Sequence, residues 1–190
     1  MFENQKGLTL VELLVVTGII MILSAVTIPN WNEGGERLKV MRATYQVHQD
    51  IRRAQELTLA SAECNECSCQ LPHGYGIHFE KDDTYDLFGE CNEYQEDGGL
   101  EDPYEAPLEQ KVQIHLEEGL EIEEIIGRTN GSSYAIEELT VNYRPPDPKV
   151  LIRDENGNEL QEGIIRLEGG QFCRQVRTNK VGLVEISECP

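Results

Sequence analysis

The side chains able to do chemistry are few, and the densest group is sulfur. Six cysteines stand at 64, 67, 69, 91, 173 and 189. Cys64-x-x-Cys67-x-Cys69, taken with Cys91 or His73, supplies enough soft ligands to close a tetrahedral zinc site. Cys64, Cys67, Cys69 and Cys91 also permit three disulfide pairings. Zinc needs reduced thiolates, whereas an oxidising compartment outside the cytoplasm favours two disulfides. The last pair is more determined. A hairpin turn centred on Val181 sets residues whose numbers sum to 362 opposite one another, and Cys173 and Cys189 meet that condition. A disulfide closing the C-terminal hairpin is expected.

Other candidate chemistry is thin. His48, His73, His78 and His115 are scattered, with no nucleophile motif around any of them, so no enzyme is read here. Asp154-Glu155-Asn156-Gly157-Asn158-Glu159 offers oxygen ligands for calcium but lacks the ligand spacing of an EF-hand loop, and Asn-Gly is a hairpin turn signal. No cofactor is expected.

Charge is unevenly distributed. The chain of 190 residues carries a net charge of -19; residues 54–143 hold 22 acidic and three basic side chains and account for the whole excess. Such a surface repels phosphate backbones, which disfavours nucleic acid as a partner. Arg37, Lys39, Arg42, Arg52 and Arg53 form a small basic set ahead of it.

One carboxylate occupies an unusual place. From Leu8 to Ile28 run 21 residues with a single charge, Glu12. At about 1.5 Å per residue a helix of that length reaches roughly 30 Å, the thickness of a bilayer core. A secretory signal would want a small-x-small cleavage site, and Leu23-Ser24-Ala25 is a poor one. A charged glutamate at the centre of a membrane helix costs on the order of 2.5 to 3.5 kcal/mol and calls for a partner. In the first turn the cost is smaller, because unpaired N–H groups and the helix dipole favour an anion there.

These residues resemble a known pattern. Lys6-Gly7 followed by Leu8-Thr9-Leu10-Val11-Glu12-Leu13-Leu14-Val15-Val16 resembles the class III leader junction of type IV pilins and type II secretion pseudopilins, with Glu12 as mature residue five. Pro29 stands where that family kinks its helix. The resemblance covers about the first thirty residues. It implies a leader, 1–7, cut by a prepilin peptidase between Gly7 and Leu8, and methylation of the new Leu8 amine. It implies a membrane and assembly helix, 8–28, and pairing of Glu12 with the Leu8 amine of a neighbouring subunit. It departs in having Leu8 where phenylalanine or methionine is commoner.

The elements that must carry these groups follow from periodicity. Pro29 and the glycines of 30–36 predict a kink or linker over 29–36, with Trp31 suited to a membrane interface. Val40, Ala43, Val47, Ile51, Ala54 and Leu57 recur at steps of three and four, an amphipathic helix with one face for a core. Beyond Pro72 come short β-like runs: 76–80, 84–88, 111–116, 137–143, 150–153, 163–167, 172–177 and 183–187, with Asn156-Gly157 expected to join two of them as a hairpin. The plan is α+β, a long N-terminal helix packed on an antiparallel sheet head spanning 37–190. Gly74-Tyr75-Gly76-Ile77-His78-Phe79 and Tyr85 to Asn92 resemble the H-type pseudopilins and FimT-like minor pilins. Some FimT-like proteins bind DNA through a basic C-terminal motif; Arg174, Arg177 and Lys180 do not form it.

The reading is a structural subunit of a type IV pilus or type II secretion-like filament. Its partners would be other pilin subunits, the prepilin peptidase and a membrane assembly platform. It would be single-pass in the cell membrane with its head outside the cytoplasm, then part of the filament. The alternative is a membrane-tethered binding module whose acidic head captures a cation, a protein or, against its charge, DNA.

Overall fold

The structure, a computed structural model, describes residues 9–63, 72–91, 111–145 and 149–190, with only the backbone of 26–33 and of Lys111. One helix, α1 (Leu10–Leu59), precedes ten strands. These are β1 (Gly74–Glu80), β2 (Thr84–Glu90), β3 (Lys111–His115), β4 (Glu121–Thr129), β5 (Ser132–Ile136), β6 (Glu138–Arg144), β7 (Lys149–Asp154), β8 (Glu162–Gly169), β9 (Phe172–Asn179) and β10 (Val184–Glu188). They form two five-stranded antiparallel sheets, ordered β3-β2-β1-β6-β7 and β10-β9-β8-β4-β5. This is an α+β, pilin-like fold.

The helix buries one stripe. Val40, Ala43, Val47, Ile51 and Ala54 are at most 1% exposed and meet Ile77, Phe79 and Val141 from the first sheet and Ile165 and Val176 from the second. Each fully buried valine or isoleucine contributes about 1.5 to 3 kcal/mol. The fit is close at the foot of the head, where a side chain on Gly169 would collide with Val40 Cγ2. The helix ends after Leu59: Ser61 turns left-handed (φ 45°), and the Ser61 and Ala62 amides donate back to the Thr58 and Leu57 carbonyls.

Polar anchors fix the helix at successive turns. Lys39 Nζ donates to the Glu118 carbonyl at 3.0 Å, and Gln46 Nε2 to the His115 carbonyl at 3.3 Å. Gln55 Nε2 donates to the Gly182 carbonyl at 2.8 Å. Thr58 Oγ1 accepts from the Tyr75 amide at 3.0 Å. On the far face of the first sheet, Arg144 donates to Glu90, which also accepts from Asn142 Nδ2 at 2.8 Å.

Three expectations change. No linker interrupts 29–36: the backbone stays helical across Pro29 and both glycines. The described residues hold ten strands where eight were read, because β4 and β5 escaped. The alternation of β4 is broken by a bulge between Ile122 and Glu124. Its hairpin with β5 turns on Asn130 (φ 46°) and Gly131 (φ 85°), the paired left-handed conformations that Asn-Gly supports. Asn156-Gly157 folds the chain back on β7, with an antiparallel bridge between Arg153 and Glu159 and the Leu160 amide donating to the Ile152 carbonyl at 2.8 Å, but it does not pair β7 with β8, which lie in different sheets. Asp154 Oδ1 there accepts from the Asn156 and Asn158 amides at 3.0 and 2.8 Å, and the turn carries the chain between sheets.

Burial of phenols gives the head an alkaline limit. Tyr85 donates to Asp50 Oδ2 at 2.6 Å, tying β2 to the helix, and burial, reinforced by that bond and charge, raises its pKa far above 10.0. Burial also raises Tyr143. A native phenol that keeps its proton where the unfolded chain loses it stabilises fully below about pH 10, and that stability declines as pH climbs further. Phenolate absorbance on alkaline titration should show phenols, Tyr85 and Tyr143 among them, that keep their protons well above pH 10 until the head unfolds. Complete titration of the tyrosines near pH 10 in a folded head would contradict this.

Candidate functional site: the N-terminal helix and its carboxylate

Glu12 lies in the first turn of α1, where the chain itself gives it a local role. Thr9 is the N-cap: its Oγ1 accepts from the Glu12 amide at 3.3 Å, and Glu12 Oε2 accepts from the Thr9 amide at 3.4 Å. The two residues form a capping box that satisfies two of the helix's orphan donors. The signal was present in the sequence as Thr-x-x-Glu ahead of an apolar run, but reading Glu12 only as a charge in search of a counter-charge missed it. Gly7 and Leu8 lie outside the described residues.

From Leu10 to Leu23 the helix turns its large apolar side chains outward. Leu10, Val11, Leu13, Leu14, Val15 and Val16, and then Ile19 to Leu23, are 48% to 78% exposed. Apolar area on that scale is costly in water and requires a covering, whether lipid or protein. Among the described residues no helix is long and apolar enough to cross a membrane. Leu8 and the side chains of 26–28, which belong to the run read as membrane-spanning, lie outside that description, as do those of Pro29 and Trp31.

The cysteines separate into two groups. Cys173 and Cys189 are bonded, with Cα atoms 5.6 Å apart. The strands they close, β9 and β10, pair in the register expected from a turn at Val181, with Val184 opposite Thr178 and Glu188 opposite Arg174. Cys91 is also disulfide-bonded, to a cysteine outside the described residues, where Cys64, Cys67 and Cys69 all lie. His73 is exposed, and among the described residues no group of three or more histidines, cysteines or acids is placed to hold a metal.

The remaining candidates are absorbed into the head. His78 is buried, with Nδ1 2.9 Å from Thr140 Oγ1 and Nε2 3.2 Å from Glu80 Oε1. Arg174, Arg177 and Lys180 are each ion-paired, to Glu188, Glu162 and Glu159 respectively. The Lys180 partnership holds the Glu159 carboxyl below its usual pKa. The second and third Asp154 contacts fill the turn that was weighed for calcium, with Asn158 Nδ2 donating to Oδ2 at 3.0 Å.

Comparison with known proteins agrees with this geometry. Residues 3–28 match the prokaryotic N-terminal methylation motif. Two fimbrial proteins of Pseudomonas aeruginosa are each 33% identical to this chain over 87 residues, 46% of its length. The chain spans about half the length of these curated relatives, 56% of each. No solved structure matches. The chain is similar to type IV pilins in its N-terminal motif and in its fold class.

The disulfide between β9 and β10 closes a segment with a sequence separation of 16, so its removal should lower head stability by about 3 kcal/mol. Melting of the full chain in detergent, wild type against Cys173→Ser/Cys189→Ser, measures this. An unchanged midpoint would show that the hairpin holds the C-terminal strand without the bond.

Proposed function

We propose that this chain is a prepilin or minor pseudopilin that is cut after Gly7, methylated at Leu8 and polymerised through its N-terminal helix into a type IV pilus or type II secretion-like filament. The methylation motif over residues 3–28 is the observation that carries the reading. The bare apolar half of α1 supports it, because packing many parallel copies buries that surface in protein as a bilayer does in lipid. Before assembly the helix would anchor the chain in the cell membrane with the head outside the cytoplasm. Prepilin peptidase and a membrane assembly platform would then act on it. Glu12 would pair with the methylated Leu8 amine of a neighbouring subunit, exchanging part of its capping role for a charge partner.

That last step separates two roles of one side chain. Glutamine at the third helical position also completes a capping box, so Glu12→Gln keeps the local hydrogen bonds and removes only the charge. Glu12→Ala removes both. A hydrogen bond to a charged group is worth about 1.5 to 3 kcal/mol, so both variants should enter filaments roughly tenfold or more below wild type. Quantifying each variant in sheared filaments is the test. Wild-type incorporation of Glu12→Gln would reduce Glu12 to a capping residue and overturn the pairing.

A further inference from the structure

The helix carries two adjacent exposed cations. Arg52 and Arg53 lie on the outward side of α1, and neither has an ion-pair partner among the described residues. The contrast is with Arg128, Arg144, Arg166, Arg174 and Arg177, which are each paired with a glutamate. In a chain of net charge -19, two adjacent exposed arginines that hold no carboxylate among the described residues are an open cationic surface. Tyr45 and Leu59, 49% and 60% exposed, lie on the same face one heptad before Arg52 and one after it, and give the cations an apolar setting.

The complementary surface is on the same molecule at a different height. The Leu116 amide donates to the Asp83 carbonyl at 2.8 Å and the Ile122 amide to the Asp82 carbonyl at 2.9 Å, so two turns are joined into one edge. That edge exposes Glu80, Asp82, Asp83, Glu118, Glu121 and Glu123. Its cations are already taken, Lys81 by Glu137 at 2.8 Å and Arg42 by Glu117 at 3.3 Å. The bonds from Lys39 and Arg42 to Glu118 and Glu117 fix this acidic base level with residues 39–42 of the helix. At 1.5 Å per residue it lies about 18 Å below Arg52 and Arg53, too far to be satisfied within one chain.

We propose that Arg52 and Arg53 dock the acidic base of a second copy of this chain, so that these parallel copies pack with their helices offset by about 18 Å along the axis. The inference rests on the assembly reading above and concerns a different neighbour from the one whose Leu8 amine meets Glu12, which four residues of helix set only about 6 Å along the axis. Because two different patches meet, the contact is heterologous; each copy leaves one patch open, and the array grows as an open filament unless its rotation closes. Complementary charge also discriminates against other arrangements, since acidic heads side by side repel.

The test uses assembled full-length chains. Arg53→Lys retains the charge and supplies an amine that a carbodiimide can couple to a carboxylate in contact with it, forming an amide as the activating group leaves as a urea. Assembly from a mixture of unlabelled and nitrogen-15 chains marks intermolecular products. The expected product is a mixed-isotope amide joining position 53 to the 80–83 or 117–123 peptides. In a second arm, Arg52→Glu/Arg53→Glu should lower incorporation at least tenfold with the head's melting temperature unchanged. Copies carrying Asp82→Lys/Asp83→Lys should restore it. Arg53→Lys chains that assemble while no such amide forms, or reversed arginines that incorporate normally, overturn the docking alone. Wild-type chains that form no filament overturn both it and the assembly reading.

Discussion

A single helix of 50 residues must satisfy two surroundings, and only one of them is supplied by its own chain. From Val40 to Thr58 one stripe is sealed by two sheets; from Leu10 to Leu23 the apolar surface stands open. The hydrophobic effect does not let that asymmetry persist in water, so the first half of the helix defines what the protein must associate with. The capping box at Thr9 and Glu12 secures the start of this half, where the helix is otherwise unsupported.

The head is held to the helix by more than apolar burial. Bonds from Lys39, Gln46, Gln55 and Thr58, with the Tyr85 to Asp50 link, engage the helix from the foot of the head to its end. Each is worth about 1 kcal/mol on its own. Their collective effect is orientational: a head fixed at several turns cannot rotate about the helix axis. The acidic base and the exposed arginines therefore keep a fixed angle and height relative to the apolar half of the helix, which a repeating assembly requires.

Much of this was legible in the sequence where a single period holds. The buried stripe of α1 follows the steps of three and four through Val40, Ala43, Val47, Ile51 and Ala54, and the register of β9 with β10 follows from one turn position. Legibility failed where local signals compete with tertiary context. The bulge at Ile122 to Glu124 hides the alternation of β4, and the strands were lost with it. Two Asn-Gly pairs look alike, yet one makes a tight hairpin with both residues left-handed while the other crosses between sheets. Proline and glycine predicted a break over 29–36 that the continuous helix overrides. Glu12 was legible as an acid favoured in a helix's first turn, and the Thr-x-x-Glu spacing that names its capping partner lay beside it.

The account turns on one chemical event, the creation of a new amine at Leu8 that a carboxylate on a neighbouring helix can meet. Mass spectrometry of the N-terminal peptide from the chain as found in filaments tests it most directly. The predicted peptide begins at Leu8 and carries one added methyl group on its amine. A peptide that still begins at Met1, or one cut after Ala25, would contradict the account, because neither leaves Glu12 five residues into a processed helix.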